Sequence, residues 1–240
     1  MEHLQEELDR LIESIPDNSE FRTRLDNLTS IYPFNDYEFI IAHLVCLGIL
    51  TLESYYDLRD RYIERNLYLY VFEISAPRTF GESWAQGHLK QLVPELVKPS
   101  KKSDHNYSGQ YDFYLDEKIR IEVKASRAVD DSISAPLYVK ALSSDSKKGF
   151  WMNFQQIKPA CCDVFIWIAV WRDLIRYWVL SSQEVETNQY YSVGQHRGNI
   201  GEGQLHVTHE NFGTLTGYLV EPRELLQAIR NAYKRQISNG

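Results

Sequence analysis

Apolar residues recur at helical spacing at the start of the chain, and the run ends at Pro16. Its members are Leu4, Leu8, Leu11, Ile12 and Ile15. A second helix is predicted over residues 36–50, because Asn35 and Glu38 have the spacing of a capping box, and a third over residues 52–66. The pattern therefore predicts a helical subdomain over residues 1–68. Packing, dimerisation and helix-turn-helix DNA reading are all open roles for it, and its acidic face favours the first two.

From about residue 67 the pattern changes to strands mixed with helices. Strand-like runs are predicted at residues 66–75, at 110–126 as two strands around a tight turn, and at 163–181 as two strands around Arg172–Asp173. Helices are predicted to begin near Glu82 and to cover residues 152–159 and 222–236. This mixture predicts an α/β (α+β) fold over residues 69–240, with a mixed β-sheet flanked by helices.

The composition fits one large domain or a domain with a small appendage. The chain has 240 residues, of which 43% are hydrophobic and 25% are charged. Its first apolar stretch, residues 39–50, is too short to span a bilayer, and the acidic N-terminus has no apolar signal core. Three cysteines, two of them adjacent, match neither a disulfide framework nor a zinc spacing. We therefore expect no membrane association and a cytoplasmic protein with reduced thiols.

The net charge of −7 is concentrated at the N-terminus. Residues 1–30 hold eight acidic side chains against three arginines, so the rest of the chain is close to neutral. Basic clusters occur at Lys98, Lys101 and Lys102 and again at Lys147 and Lys148. Phosphate contacts depend on local patches of this kind, so the global acidity does not exclude a nucleic-acid partner.

The alternation within residues 110–126 predicts the register of a hairpin. Ile119, Ile121 and Val123 share one face of the second strand, and the apolar face of the first strand is formed by Tyr111, Phe113 and Leu115. A three-residue loop at 116–118 keeps both apolar faces on the same side, whereas a two-residue turn buries a charge. This register places Asp112 directly across from Glu122, with their Cβ atoms about 5 Å apart.

Two carboxylates held this close repel each other unless a cation lies between them. Hard oxygen ligands in incomplete number suit Mg²⁺, which keeps several waters and accepts phosphate oxygens. Lys124 lies on the same face as Glu122, where its ammonium can orient a water and offset charge on a reacting phosphate. Together these groups match what phosphodiester hydrolysis requires.

The spacing of Asp112, Glu122 and Lys124 resembles that of the PD-(D/E)XK nuclease superfamily, which includes most type II restriction enzymes. The resemblance covers roughly residues 70–180, and Tyr111 stands where the family name has Pro. It implies that Asp112, Glu122 and the carbonyl of Val123 bind the metal and that Lys124 assists the nucleophile.

Two further positions are candidates for the same site. Many restriction-type members place an extra acidic residue near the metals on an upstream helix, and Glu82 is predicted to open such a helix. Residues 154–159 followed by an apolar strand resemble an element from which a Gln or Lys reaches the active site. Gln156 is preferred there over Gln155, and Lys158 is a further option.

A glycine-punctuated loop at residues 191–204 is the candidate DNA reader. It displays Gln195, His196, Arg197 and Asn199. Arginine can bind guanine O6 and N7, while Gln or Asn can bind adenine N6 and N7. Glycines allow the backbone to approach a groove closely.

Taken together, the sequence predicts a Mg²⁺-dependent, sequence-specific endonuclease that cuts double-stranded DNA as a homodimer. Two-fold protein symmetry matches a palindromic site. A same-fold repair nickase or junction resolvase, and a DNA- or protein-binding module without catalysis, are the alternatives. The histidine spacings do not fit an HNH nuclease, and no nucleotide-binding or serine-hydrolase motif is present.

Overall fold

Helices form the first part of the chain, and strands dominate from the middle onward. The computed structural model describes residues 2–27, 33–194 and 202–238. Its α-helices are α1 (Glu2–Glu13), α2 (Ser19–Asp26), α3 (Pro33–Cys46), α4 (Leu52–Arg65), α5 (Gln86–Leu92), α6 (Leu137–Lys140), α7 (Ser182–Glu186) and α8 (Leu225–Ser238). Its strands are β1 (Phe113–Leu115), β2 (Ile119–Arg127), β3 (Trp151–Ile157), β4 (Val164–Val170), β5 (Ile175–Ser181), β6 (Tyr191–Val193), β7 (Gly203–Thr208) and β8 (Leu219–Val220). Within these described ranges, no helix is long and apolar enough to cross a membrane.

The chain separates into two compact units. The first comprises residues 1–67 and 143–147, and the second comprises residues 68–142 and 148–240. In the first unit, helices α1 to α4 bury a core that includes Leu8, Ile12 and Ile41. Arg65 at the end of α4 pairs with Asp145 at 2.5 Å, which ties the 143–147 segment to this unit.

Helices α1 and α4 lie where the sequence predicts them, but the predicted capping box of α3 is wrong. This helix begins at Pro33, so that Asn35 lies inside it. Proline suits the first helical turn because its missing N–H has no intrahelical partner there. The helix also ends earlier than predicted, at Cys46, and Gly48 adopts a φ of 71° in the turn that follows.

The second unit contains a five-stranded mixed sheet, which confirms the α+β class. Its strand order is β1-β2-β4-β5-β8, with β2 and β4 parallel and the other pairs antiparallel. A separate antiparallel sheet has the order β3-β7-β6. Strand β4 is buried on both faces, which explains its uninterrupted apolar sequence.

Two apolar layers cover the faces of the five-stranded sheet. One face packs against helical residues, including Phe80, Leu89 and Ile229. The other packs against the three-stranded sheet through residues that include Phe154 and Trp167, whose rings stack at 5.0 Å. The second unit is therefore a helix–sheet–sheet arrangement.

Three predicted elements of this unit are wrong. Residues 66–75 are not a strand but contain a 3₁₀ helix, Leu69–Glu73, in which three side chains are buried together instead of alternating. Residues 152–159 are not a helix, because Trp151–Ile157 form a strand paired with β7. The helix expected near Glu82 begins earlier: residues 77–92 are helical, with a π-helical segment, Thr79–Ala85, leading into α5.

Candidate active site

The hairpin of β1 and β2 has the predicted register. Phe113 pairs with Ile121 and Leu115 with Ile119, so the loop consists of residues 116–118. The N–H of Asp112 donates to the carbonyl of Ile121 at 2.9 Å, so the chain stays hydrogen-bonded to β2 one residue before β1, although Ile121 is the residue that faces Phe113. The burial of alternate residues from Ile119 to Val123 confirms that the apolar face set this register.

Both carboxylate oxygens of Asp112 accept hydrogen bonds. The backbone N–H of Val123 donates to Oδ2 at 2.8 Å, and the side-chain amide of Gln86 donates to Oδ1 at 2.5 Å. The other end of the Gln86 amide accepts a hydrogen bond from the ammonium of Lys98, which lies 4.4 Å from the centre of the Phe113 ring. The orientation of the Asp112 carboxylate is thus fixed by strand β2 through Val123, by helix α5 through Gln86 and, behind Gln86, by Lys98.

Glu122 and Lys124 form a largely buried ion pair on β2. Nζ of Lys124 lies 2.7 Å from Oε1 of Glu122, and the side chains are only 14% and 17% exposed, respectively. The carboxyl groups of Glu122 and Asp112 lie close enough to shift each other's pKa, so the three side chains that the sequence pattern selected lie together. The register of Phe113–Leu115 is the predicted one, and the role of Asp112, Glu122 and Lys124 as a site stays a prediction.

Burial governs the protonation of the two acids. It raises the pKa of Glu122 to about 7, opposed by the positive charge of Lys124 and assisted by the negative charge of Asp112. Burial also raises the pKa of Asp112, opposed mainly by the hydrogen bond from Val123 and by the charge of Lys124. Both acids therefore favour the protonated form more than exposed carboxyl groups do, because burial penalises their negative charges.

The three side chains line a cleft of about 860 Å³, here called the β2 cleft. It is bordered by the helix of residues 77–92, by Glu122–Arg127 on β2 and by part of β3. The cleft exists because β1 is short: it pairs with β2 only through Ile119–Ile121, so the following residues of β2 border open space on that side. Its basic residues are Arg78, Lys124, Arg127 and Lys158, and its acidic residues are Glu82, Asp112 and Glu122.

The donor set fits a hard divalent cation in an open site. Within the described residues, no cluster of three or more His, Cys, Asp or Glu side chains has the arrangement of a metal site. Asp112 and Glu122 therefore offer carboxylate oxygens without completing a coordination shell. Mg²⁺ is commonly held in this way, by one or two carboxylates together with water and substrate phosphate oxygens.

Glu82 and Gln156 both line the cleft, but in settings that differ from those predicted. Glu82 does not open the helix; it lies inside the π-helical segment, 57% exposed, and pairs with Arg78 at 2.8 Å. Gln156 lies on a strand and not on a helix, at a bulge between Phe154 and Ile157, with a φ of 55°. The bulge restores Ile157 to the buried face and leaves Gln155 and Gln156 exposed to the cleft.

The candidate reader loop at 191–204 is the connection of a hairpin. Its ends belong to β6 and β7, which pair antiparallel. The predicted base-reading residues Gln195, His196, Arg197 and Asn199 lie outside the described residues. Lys158, the further option from the sequence, pairs with the buried carboxylate of Glu202 at 2.8 Å at the base of this hairpin.

Sequence reasoning missed Gln86, Lys98 and Arg127 as residues of this site. Gln86 is one helical turn beyond Glu82, and this i, i+4 relation was the one signal pointing to it. Lys98 appeared only as part of a basic cluster. Arg127 is the last residue of the strand that carries Glu122. The alternation of side chains along a strand assigns Arg127 to the face opposite Glu122 and Lys124, so the sequence pattern did not select it.

Comparison with known proteins identifies no family for this chain. No protein-family model matches the sequence. No curated protein matches it significantly either.

Proposed function

We propose that this chain is a Mg²⁺-dependent endonuclease of the PD-(D/E)XK type that hydrolyses phosphodiester bonds of double-stranded DNA at specific sequences. One observation carries the proposal: Asp112, Glu122 and Lys124 meet at the open edge of a mixed sheet, inside a cleft of about 860 Å³. The fold proposed for the second unit is accordingly a restriction endonuclease-like core, with Asp112 and Glu122 on the hairpin at the edge of its five-stranded sheet.

The roles of the residues follow from their charges and contacts. Asp112, oriented by Val123 and Gln86, and Glu122 hold the cation, with the carbonyl of Val123 as a further ligand. Mg²⁺, when bound, lowers the pKa of a water and polarises the phosphate. Lys124 places its ammonium beside Glu122, where it stabilises the negative charge that develops on the phosphate oxygens. Water gives up one proton as its oxygen bonds to phosphorus, one P–O ester bond breaks, and the leaving alkoxide takes up a proton, so that one water is consumed for each bond cut.

The charge of the β2 cleft supports a polyanionic substrate. Asp112 and Glu122 are assigned to the metal, which leaves Glu82 and the Glu202 partner of Lys158 as the acids that offset four basic side chains. The global charge of −7 therefore does not describe the surface on which the chemistry occurs.

Cleavage of supercoiled plasmid DNA tests the proposal. The wild-type protein should cut in Mg²⁺ and not in EDTA, and Asp112→Ala and Glu122→Ala should not cut while still binding DNA. Asp131→Asn is the matched control, because Asp131 is an exposed acid outside the cleft. Near-normal cutting by either cleft variant would refute the site.

The products of the same digestion separate this function from its alternatives. Discrete linear bands whose sequenced ends share one motif support a site-specific endonuclease. Relaxed circles alone identify a nickase, and no cleavage with retained binding identifies a binding module. A homodimer is proposed for palindromic sites because a two-fold axis presents two identical active sites to the two strands. The 191–204 loop is proposed to read bases. The cytoplasmic location stays a prediction.

A further inference from the structure

Arg127, the last residue of β2, is held rigidly beside the β2 cleft. Its Nη1 donates to the carbonyls of Val71 and Ile74 at 3.1 and 2.7 Å. The guanidinium lies 4.1 Å from the centre of the Phe80 ring, at cation–π distance. Two carbonyls and one ring thus hold a planar cation in a single orientation.

Among the residues that the structure describes, the charge of Arg127 has no carboxylate partner, in contrast to the other basic residues of the cleft. Arg78, Lys124 and Lys158 are each paired with a carboxylate at 2.7 to 2.8 Å. Across residues 2–27, 33–194 and 202–238, no acidic group offsets the burial of Arg127, which lowers its pKa to about 10. A partly buried cation without a counter-charge is costly, and an anionic ligand removes that cost.

The unused donors of Arg127 suit a tetrahedral oxyanion. Within the described part of the chain, both hydrogen bonds of the guanidinium come from Nη1, which leaves the Nε and Nη2 hydrogens for a ligand in the cleft. Two parallel N–H groups on a planar fork match two oxygens of a phosphate. Five residues separate Arg127 from Glu122, which is roughly 17 Å along a strand, so both cannot hold the same phosphate.

We propose that Arg127 forms a second phosphate subsite, which binds a backbone phosphodiester of the DNA several nucleotides away from the bond that is cut. The inference rests on the proposed function and extends it, because it states how the cleft sets the register of the strand. A phosphate contact of this kind positions the duplex without reading its sequence.

The alternative role for Arg127 is purely structural, as a cap on the carbonyls that end the 3₁₀ helix. Arg127→Met keeps an unbranched side chain over Phe80 and removes the charge. Arg127→Lys keeps the charge and removes the fork. Arg176→Met is the matched control, because that guanidinium also lies over aromatic rings, at 4.9 Å from Phe212 and 5.4 Å from Trp171, but outside the cleft.

The test uses a set of short duplexes. In each duplex one methylphosphonate replaces one phosphate and removes its charge, and the set covers each position of both strands. The duplex carries the cut site found by end sequencing or, if none is found, a random sequence. Binding is measured in EDTA by fluorescence anisotropy at several salt concentrations, and urea unfolding of each variant is measured without DNA. The wild-type protein should lose about 10-fold in affinity at one position on each strand, the scale of one charged contact.

Arg127→Met should bind the unmodified duplex about 10-fold more weakly, be insensitive to methylphosphonate at that one position, and show a salt slope smaller by about 1. Arg127→Lys should retain part of the sensitivity there. Arg176→Met should match the wild type throughout. Identical methylphosphonate profiles for wild type, Arg127→Met and Arg127→Lys would overturn the subsite. So would a loss of affinity that is equal at all positions and tracks a loss of stability.

Cleavage of the unmodified duplex in Mg²⁺ is read on the same preparations. If the wild type cuts the duplex but the methylphosphonate profiles of wild type, Arg127→Met and Arg127→Lys are identical, the subsite alone is rejected. A wild-type protein that neither cuts nor binds the duplex rejects the proposed function and the subsite together.

Discussion

The side-chain amide of Gln86 donates a 2.5 Å hydrogen bond to Oδ1 of Asp112, although the two residues are 26 positions apart in the sequence. The same amide accepts from Lys98, so an ammonium outside the cleft is linked to a carboxylate inside it. A carboxylate only accepts hydrogen bonds and an ammonium only donates them. The two neighbours therefore determine which end of the Gln86 amide is the NH₂ group and which is the oxygen. Gln86 is therefore a positioning residue for Asp112.

Gln86→Ala should weaken the response to Mg²⁺ about 10- to 100-fold, the usual effect of losing a group that orients a metal ligand. The rate at saturating Mg²⁺ should fall much less, because Gln86 is not assigned to the reacting atoms. The measurement is the Mg²⁺ concentration that gives half-maximal cleavage. Gln91→Ala on the same helix is the control, since Gln91 is exposed and away from the cleft. An unchanged half-saturation point in Gln86→Ala would contradict the positioning role.

Lys124→Ala should cost on the order of 10²-fold or more in the single-turnover rate, because it removes a group that stabilises the transition state. Lys124→Arg should also fail, since a planar guanidinium does not replace a compact ammonium in a largely buried pair with Glu122. Lys118→Ala in the hairpin loop serves as the exposed control. Full activity of Lys124→Arg would reduce Lys124 to a counter-charge.

Glu122→Gln should change how stability depends on pH in the metal-free protein. The pKa of Glu122 is raised to about 7 in the folded state from an ordinary value of 4.5. The folded state thus binds more protons than the unfolded state between these values, and the wild type loses stability as the pH rises through this window. The amide of Gln resembles the protonated acid, so Glu122→Gln should lack this loss.

The two proteins should differ most above about pH 7, where Glu122→Gln is more stable by up to about 3 kcal/mol, and should converge below about pH 5. Urea unfolding in EDTA across this range measures the difference. The exposed Glu117→Gln should follow the wild-type curve. Parallel curves for wild type and Glu122→Gln would show that the ionised carboxylate is not penalised by burial.

Asp163→Asn should lower stability and leave cleavage largely intact. The carboxylate of Asp163 accepts from the backbone N–H and the guanidinium of Arg120, at 2.7 to 3.0 Å, and joins β2 to the start of β4. Asp163 is 13% exposed and Arg120 39%, so the cost should be about 2 kcal/mol, below that of a fully buried pair. Neither residue lines the cleft, so the rate of the folded variant should stay near wild type. A large loss of rate with normal stability would contradict this assignment.

Local periodicity was sufficient for the parts of this protein that one element defines. The alternation of Ile119, Ile121 and Val123 predicts which face of β2 is buried, and that face alone selects the three-residue loop and brings Asp112 to Glu122. The uninterrupted apolar run of β4 and the helical spacing of α1 are equally direct. In α1 and β2 burial repeats with the period of the element, and in β4 it is continuous, so each pattern can be read without knowing the partner.

Contacts between distant segments decided the remainder. Met152 and Phe154 are two residues apart, as in a strand, but the three-residue spacing from Phe154 to Ile157 suits a helix. Only the pairing with β7 around a bulge shows that this segment is a strand. Leu69–Glu73 contains strand-forming residues that tertiary packing winds into a 3₁₀ helix. Gln86 reaches Asp112 because the helix of residues 77–92 packs beside an edge of β2 that β1 is too short to cover. Propensity and periodicity act within a few residues, whereas the partners of a polar side chain depend on which elements pack together, and that is settled only when the whole core forms.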